Sequence, residues 1–204
     1  WSMEALRGPE GLRRWTNEDL VPRAGDVFQE RLYCIRWVDA EGNRRYAAPD
    51  EDDMGREARI LELLRERFTE WQRVGFIPSR AISEGGDKTE EPIRTRGWTH
   101  WHHLFTPRQL LLLGVLAEKS FALAESQAAL AVSLLGIGRC ANFDARLCRW
   151  QAGLVHDKGV DVFSNQALNT LFNFCCRPLD PLRVTWTVLD SGFDAVVGGS
   201  ETLV

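Results

Sequence analysis

Arg94-Thr95-Arg96-Gly97-Trp98-Thr99-His100-Trp101-His102-His103 is the densest run of chemically capable side chains in the chain. Guanidinium groups pair phosphates through two parallel hydrogen bonds, and indole or imidazole rings stack on an unpaired base, so this run is a candidate DNA contact. A structural reading competes with it, in which Trp98 and Trp101 plug a core and the arginines lie on a solvated loop. Leu147-Cys148-Arg149-Trp150 sets another Arg beside a Trp, at an expected helix end. There it either meets a phosphate or stands as a surface cation next to a core ring. With Arg108, the DNA-contact candidates are Arg94, Arg96, Trp98, Trp101, Arg108 and Arg149.

His100, His102 and His103 also suggest a metal site, because neutral imidazole is the commonest transition-metal ligand. The spacing opposes it: there is no His-Glu-x-x-His helix, and adjacent His102 and His103 tend to point apart. Gly136-Ile137-Gly138 has the look of a nucleotide or S-adenosylmethionine turn. Such a turn needs a hydrophobic strand before it, whereas the preceding run is Ala-rich and helical, which favours a kink or a close helix contact. Asp180-Pro181 is followed by Leu182-Arg183 and is not an Asp-Pro-Pro-Tyr motif. Cys34, Cys140 and Cys148 have flanks that match no nucleophile signature and read as inert thiols. No catalytic, cofactor-binding or metal-binding residue is therefore expected in this chain.

The elements that would position these residues are mainly helical, with a small antiparallel β-hairpin near the N-terminus, an α+β class. Residues 1–30 mix Gly, Pro and charge and read as an irregular lead-in; 31–204 reads as a single mainly helical domain. Leu32 to Val38 is rich in β formers, Asp39 to Asn43 is a turn cluster, and Arg44 to Ala47 returns. Pro49 to Asp53 opens a helix whose apolar face is Met54, Ala58, Leu61, Leu64, Phe68 and Trp71, and Gly75 ends it. Phe76 to Gly97 is expected to be a long exposed loop with Gly85-Gly86 near its tip.

Thr106-Pro107 starts a helix that is apolar almost all round from Leu110 to Ala117 and is expected at the centre of the core. Helix continues or restarts from Ser126 to about Leu135 and is weakened by Gly136 and Gly138 before Arg139 to Trp150. A further helix is expected over Asn165 to Cys175, capped by Ser164, and Val184 to Leu189 is either strand or helix.

Composition bounds the function classes. In 204 residues the net charge of −4 excludes the overall basic excess of a free-standing nucleic-acid binder, so any DNA contact is local. Eight Trp favour buried anchors or an interface. Five Cys without a Cys-x-x-Cys pair oppose a disulfide framework and a zinc ribbon in this stretch, and point to a reducing cytoplasm. No secretory signal is visible, and the apolar run Leu110 to Ala117 is too short to span a bilayer. A chain that begins Trp-Ser-Met is expected to be excised from a longer protein.

Four segments in order, Phe28 to Tyr33, Trp101 to Leu110, Leu147 to Trp150 and Phe163 to Leu168, resemble the central region of the large adenine-specific DNA methylases that also contain a zinc ribbon. The resemblance covers about residues 25 to 175, and its specificity lies in the ordered set. Asn165 stands where the pattern has Arg, and the chain from Arg183 onward shows no match. The resemblance implies an S-adenosylmethionine-dependent parent that methylates an exocyclic adenine amino group in DNA. Its glycine-rich cofactor motif and its Asp-Pro-Pro-Tyr motif would flank this region. On that footing the chain is a non-catalytic central domain that contacts double-stranded DNA or bridges to the flanking methyltransferase core. The rival is a protein-interaction or scaffold module with no DNA contact of its own.

Overall fold

A computed structural model describes residues 11–86, 89–151 and 158–162. The helix expected over Asn165 to Cys175 and the segment Val184 to Leu189 lie outside the described residues. The fold is mainly helical, with an antiparallel hairpin near the N-terminus. Strand β1 (Ile35–Val38) pairs with β2 (Arg44–Ala47) in the register Arg36 opposite Tyr46 and Trp37 opposite Arg45. The turn between them is held by Asp39, whose carboxylate accepts from Asn43 N at 2.7 Å and from Asn43 Nδ2 at 3.0 Å.

Helix α1 (Glu51–Val74) starts at a reciprocal cap: Asp53 N donates to the Asp50 side chain at 2.8 Å, and Asp50 N donates to the Asp53 side chain at 3.2 Å. Glu51, Asp52 and Asp53 favour the same end through the helix dipole. Gly75, at φ 83°, ends the helix in the left-handed conformation that a Cβ disfavours. Leu64, Phe68 and Trp71 are buried with Leu61 packed beside them, but Met54 and Ala58 are exposed, contrary to the expected face. The first turns of α1 carry an ion pair from Glu57 to Arg108 instead of an apolar contact.

The loop expected from Phe76 to Gly97 is partly helical and partly buried. Helix α2 (Glu91–Arg96) forms within it, and Ile77, Ile82, Pro92, Ile93 and Thr95 are inside the protein. Polar and Gly-rich flanks hid these few apolar anchors from a pattern reading. Gly97 closes α2 at φ 75°, and a Cβ there would stand 2.1 Å from the Arg13 carbonyl oxygen. Trp15 N donates to Gly97 O at 2.8 Å, so the segment before the hairpin is stitched to the end of α2. Residues 11–30 hold no helix or strand, yet Trp15 and Leu20 are buried and belong to the same packing unit as the helices.

Helix α3 (Pro107–Leu123) begins at a capping box between Thr106 and Gln109 and packs on α1 and on α4 (Gln127–Phe143). Only one face of α3 is buried, through Leu110, Leu113, Gly114 and Ala117; Val115, Phe121 and Leu123 face outward. The expectation that α3 sits at the centre of the core is therefore corrected: among the described residues it packs on α1 and α4 and leaves Val115, Phe121 and Leu123 exposed. Gly114 lies against the Trp71 ring, where a Cβ would come within 2.2 Å of it, which lets α1 and α3 approach closely. Helix α4 runs through Gly136 and Gly138 without a break. Arg149–Gln151 is strand β3, paired antiparallel with β4 (Lys158–Val160), and not the helix end expected at Leu147 to Trp150. The chain leaves α4 at Phe143 because Arg146 N donates to Leu104 O at 2.7 Å, which draws the backbone inward.

Two apolar clusters result. One joins Trp15, Trp98, Leu104, Leu147, Cys148 and Val162; the other joins Leu20, Leu64, Phe68, Trp71, Ile77 and Leu110; Phe105 packs against both. Each fully buried leucine contributes about 2 kcal/mol.

Candidate functional site

Trp98 is buried in the first cluster, against Trp15 in an edge-to-face arrangement at 6.2 Å, and Trp101 packs beside it half-buried. Arg94 pairs with Glu91 within α2, and Arg108 pairs with Glu57, its Nε at 2.7 Å. The Arg96 guanidinium lies 4.6 Å from the Phe28 ring centroid, and Arg149 faces Asp161 at 4.0 Å. The six expected DNA-contact residues thus do not form one open basic face. Two rings belong to packing, three arginines have a carboxylate partner and the fourth lies over a ring.

The three histidines are brought together, with ring centroids 4.2 to 5.5 Å apart. His103 Nδ1 accepts from Thr99 N at 3.1 Å and from His100 N at 3.2 Å, which places the ring proton on Nε2, facing Thr16 O at 3.0 Å. Protonating Nδ1 would set a third N–H against two backbone donors. Burial pushes His103 down to about 2 and His102 to about 4, and the neighbouring histidines add to both effects. The pair is neutral and structural. Among the described residues no group of three or more His, Cys, Asp or Glu is arranged to hold a metal ion.

At the centre of this region lies Arg146, whose side chain is 2% exposed. Its guanidinium sits 5.5 Å from the Trp15 ring centroid and 5.7 Å from that of Trp98. It donates to His103 O at 2.8 Å, to Phe105 O, to Leu20 O at 3.0 Å, and through Nε and Nη2 to the Glu30 carboxylate. All five N–H groups of the fork are occupied, so the buried cation is fully compensated. A second compensated site holds the N-terminal segment together: burial raises the Asp19 carboxyl, but hydrogen bonds from Arg13, Thr16 N and Arg23 outweigh it and hold the group at about 2. Nothing in the sequence around Arg146 marks it out, because its partners are the carbonyls of Leu20, His103 and Phe105 and the Glu30 carboxylate, all far away along the chain.

Two surfaces are open. A groove of about 520 Å³ runs between the loop after α1, the 3-10 turn Trp101–Leu104, α3 and α4, and is lined by Phe76, Ile77, Trp101, Leu113, Ile137 and Ala141 among others. Beside it α4 presents Leu134 and Leu135 outward, and only Gly136 and Cys140 of this 17-residue helix are buried. Gly136-Ile137-Gly138 is thus a helical stretch that borders a groove, without the strand-to-helix turn of a nucleotide site. The other surface is the hairpin, where Trp37 and Tyr46 stand among arginines. Among the described residues no helix is long and apolar enough to cross a membrane.

Comparison with family models, with curated proteins and with solved structures finds no match to this chain.

Proposed function

We propose that this chain is a non-catalytic bridging domain that docks through the apolar face of α3 and α4 onto flanking protein. By the sequence resemblance, that protein is the methyltransferase core of an S-adenosylmethionine-dependent, adenine-specific DNA methylase. The observation that carries the reading is the composition and exposure of α4. The helix holds a single charged residue, Arg139, and leaves Leu135 69% exposed; Leu123, at the end of α3, is 72% exposed. Large apolar side chains left open on two helices that pack together are what another protein would cover. Contact through this face needs no catalytic group here, and the compensated state of Arg146 and the histidines is that of a rigid support.

The test is to express the segment with the sequence that flanks it and to cleave between them by limited proteolysis. The fragments stay associated, and Leu123→Glu with Leu135→Glu separates them without shifting the thermal unfolding of the 204-residue chain. Association that survives both substitutions overturns the docking reading.

A further inference from the structure

We infer that the β1–β2 hairpin is a binding platform for an unpaired strand of nucleic acid, with Trp37 stacking on a base, Arg45 beside it on the same face taking an adjoining phosphate, and Arg44, on the reverse face at the turn end, taking a phosphate where the strand passes the turn. This surface shares no residue with the α3–α4 face, and the inference does not rest on the docking reading.

Within residues 31–47 four arginines, Arg31, Arg36, Arg44 and Arg45, stand against two acids, Asp39 and Glu41, in a chain whose net charge is −4. Asp39 is already engaged by Asn43 in the turn. Elsewhere in the described residues arginines are repeatedly tied to carboxylates, as Arg13, Arg23, Arg56, Arg73, Arg94 and Arg108 are. Arg44 and Arg45 are exposed and form no such pair among the described residues.

The same hairpin keeps large rings in water: Trp37 is 39% exposed, Tyr46 is 50% exposed and Tyr33 is open as well. The register explains their placement. Trp37 and Arg45 are directly opposed and share one face, with the guanidinium 5.6 Å from the ring centroid. Arg36, Tyr46 and, at the turn end, Arg44 share the other face, which Trp150 supports at 5.9 Å from Arg36 and 6.4 Å from Tyr46. A depression of about 260 Å³ at the turn end is lined by Trp37, Val38, Asn43, Arg44 and Arg45.

Exposed rings beside Arg44 and Arg45, whose guanidinium groups are held by no carboxylate among the described residues, match a partner that offers flat π faces and phosphates at a regular spacing. An acidic peptide would use the arginines and leave the rings idle. A closed duplex would offer phosphates but keep its bases stacked, so the rings favour a single strand.

The experiment measures fluorescence anisotropy of a labelled oligothymidylate of about 20 nucleotides with the full chain, from about 50 to about 200 mM salt. Binding is expected, weakening as salt rises. Arg44→Glu with Arg45→Glu lowers the affinity on the order of tenfold and flattens the salt dependence. Trp37→Ala lowers it about fivefold or more, whereas Trp37→Phe retains most of it, because only a ring is required. Thermal unfolding of each variant checks that the fold is intact, and if the double charge reversal fails to fold, the Trp37→Ala and Trp37→Phe pair decides. No binding at low salt, or an affinity unchanged by the charge reversal, overturns the inference. So does a duplex that binds as tightly with Trp37→Ala neutral, or a polyglutamate that competes as well as nucleic acid at equal charge.

Discussion

Arg146 and Arg45 are both arginines set against tryptophan rings, at 5.5 Å from Trp15 and at 5.6 Å from Trp37, yet their surroundings differ in kind. Arg146 is enclosed, and every N–H it has is spent on a carbonyl or on Glu30. Arg45 has no carboxylate partner among the described residues, and its ring partner is open to solvent. The lesson is that an Arg beside a Trp does not by itself mark a binding surface. What decides is how much of the guanidinium's hydrogen-bonding capacity the fold has already consumed.

The largest effect that would sharpen this contrast is the loss of the interior cation. Arg146→Ala leaves Glu30 unpaired and three buried carbonyls without their donor, and should cost about 3–5 kcal/mol in urea unfolding. A loss under about 1 kcal/mol would mean that the interior site is not the structural device described.

Acid should loosen the interior. The folded-state values of His102 and His103 lie below the usual 6.5, so the stability tied to their neutral forms is complete above that value. It is lost as pH falls from 6.5 toward about 4 for His102, and lower still for His103, because the unfolded chain binds the protons first. From about pH 7 to about pH 5 the unfolding free energy should fall by roughly 3 kcal/mol. The Asp19 carboxyl acts in a separate window, with its contribution lost only as pH falls from 3.8 toward about 2. A flat profile between pH 7 and pH 5 would contradict the buried neutral pair.

Gly97→Ala should follow, at roughly 1–3 kcal/mol, since it strains a left-handed residue and pushes on the Arg13 carbonyl oxygen, in the N-terminal segment that the bond from Trp15 N to Gly97 O ties to α2. Arg45→Ala has the smallest expected effect on stability, leaving the urea midpoint unchanged while weakening oligonucleotide binding severalfold. If Arg45→Ala unfolded the protein as readily as Arg146→Ala, the distinction between the two sites would collapse.

Much of the helical framework was legible along the chain. The helix start within Pro49 to Asp53, the Thr106 cap, the Gly75 stop and the β-hairpin all follow from local backbone chemistry, and each is where the residue pattern places it. Periodicity identified Leu61, Leu64, Phe68 and Trp71 as one face. It misjudged Met54 and Ala58, because an apolar stripe does not say how far its partner extends. The competition at Trp98 and Trp101 between packing and contact could not be resolved from types and spacing, since both uses demand the same residues. The hairpin's Arg44, Arg45 and Trp37 were present in the sequence as charge and ring. Their availability depends on which carboxylates lie nearby in space.

By itself, then, the sequence determined the starts of the two helices that open near Asp50 and Thr106, the Gly75 stop, the hairpin and part of the apolar stripes, because these depend on neighbours within a few residues. Only the tertiary structure decided which arginines are consumed and which stand free, that residues 11–30 belong to the core, and that α3 is covered on one face. Those outcomes depend on groups far apart in the chain. Leu20, Glu30, His103 and Phe105 converge on Arg146 only once the backbone has folded around it.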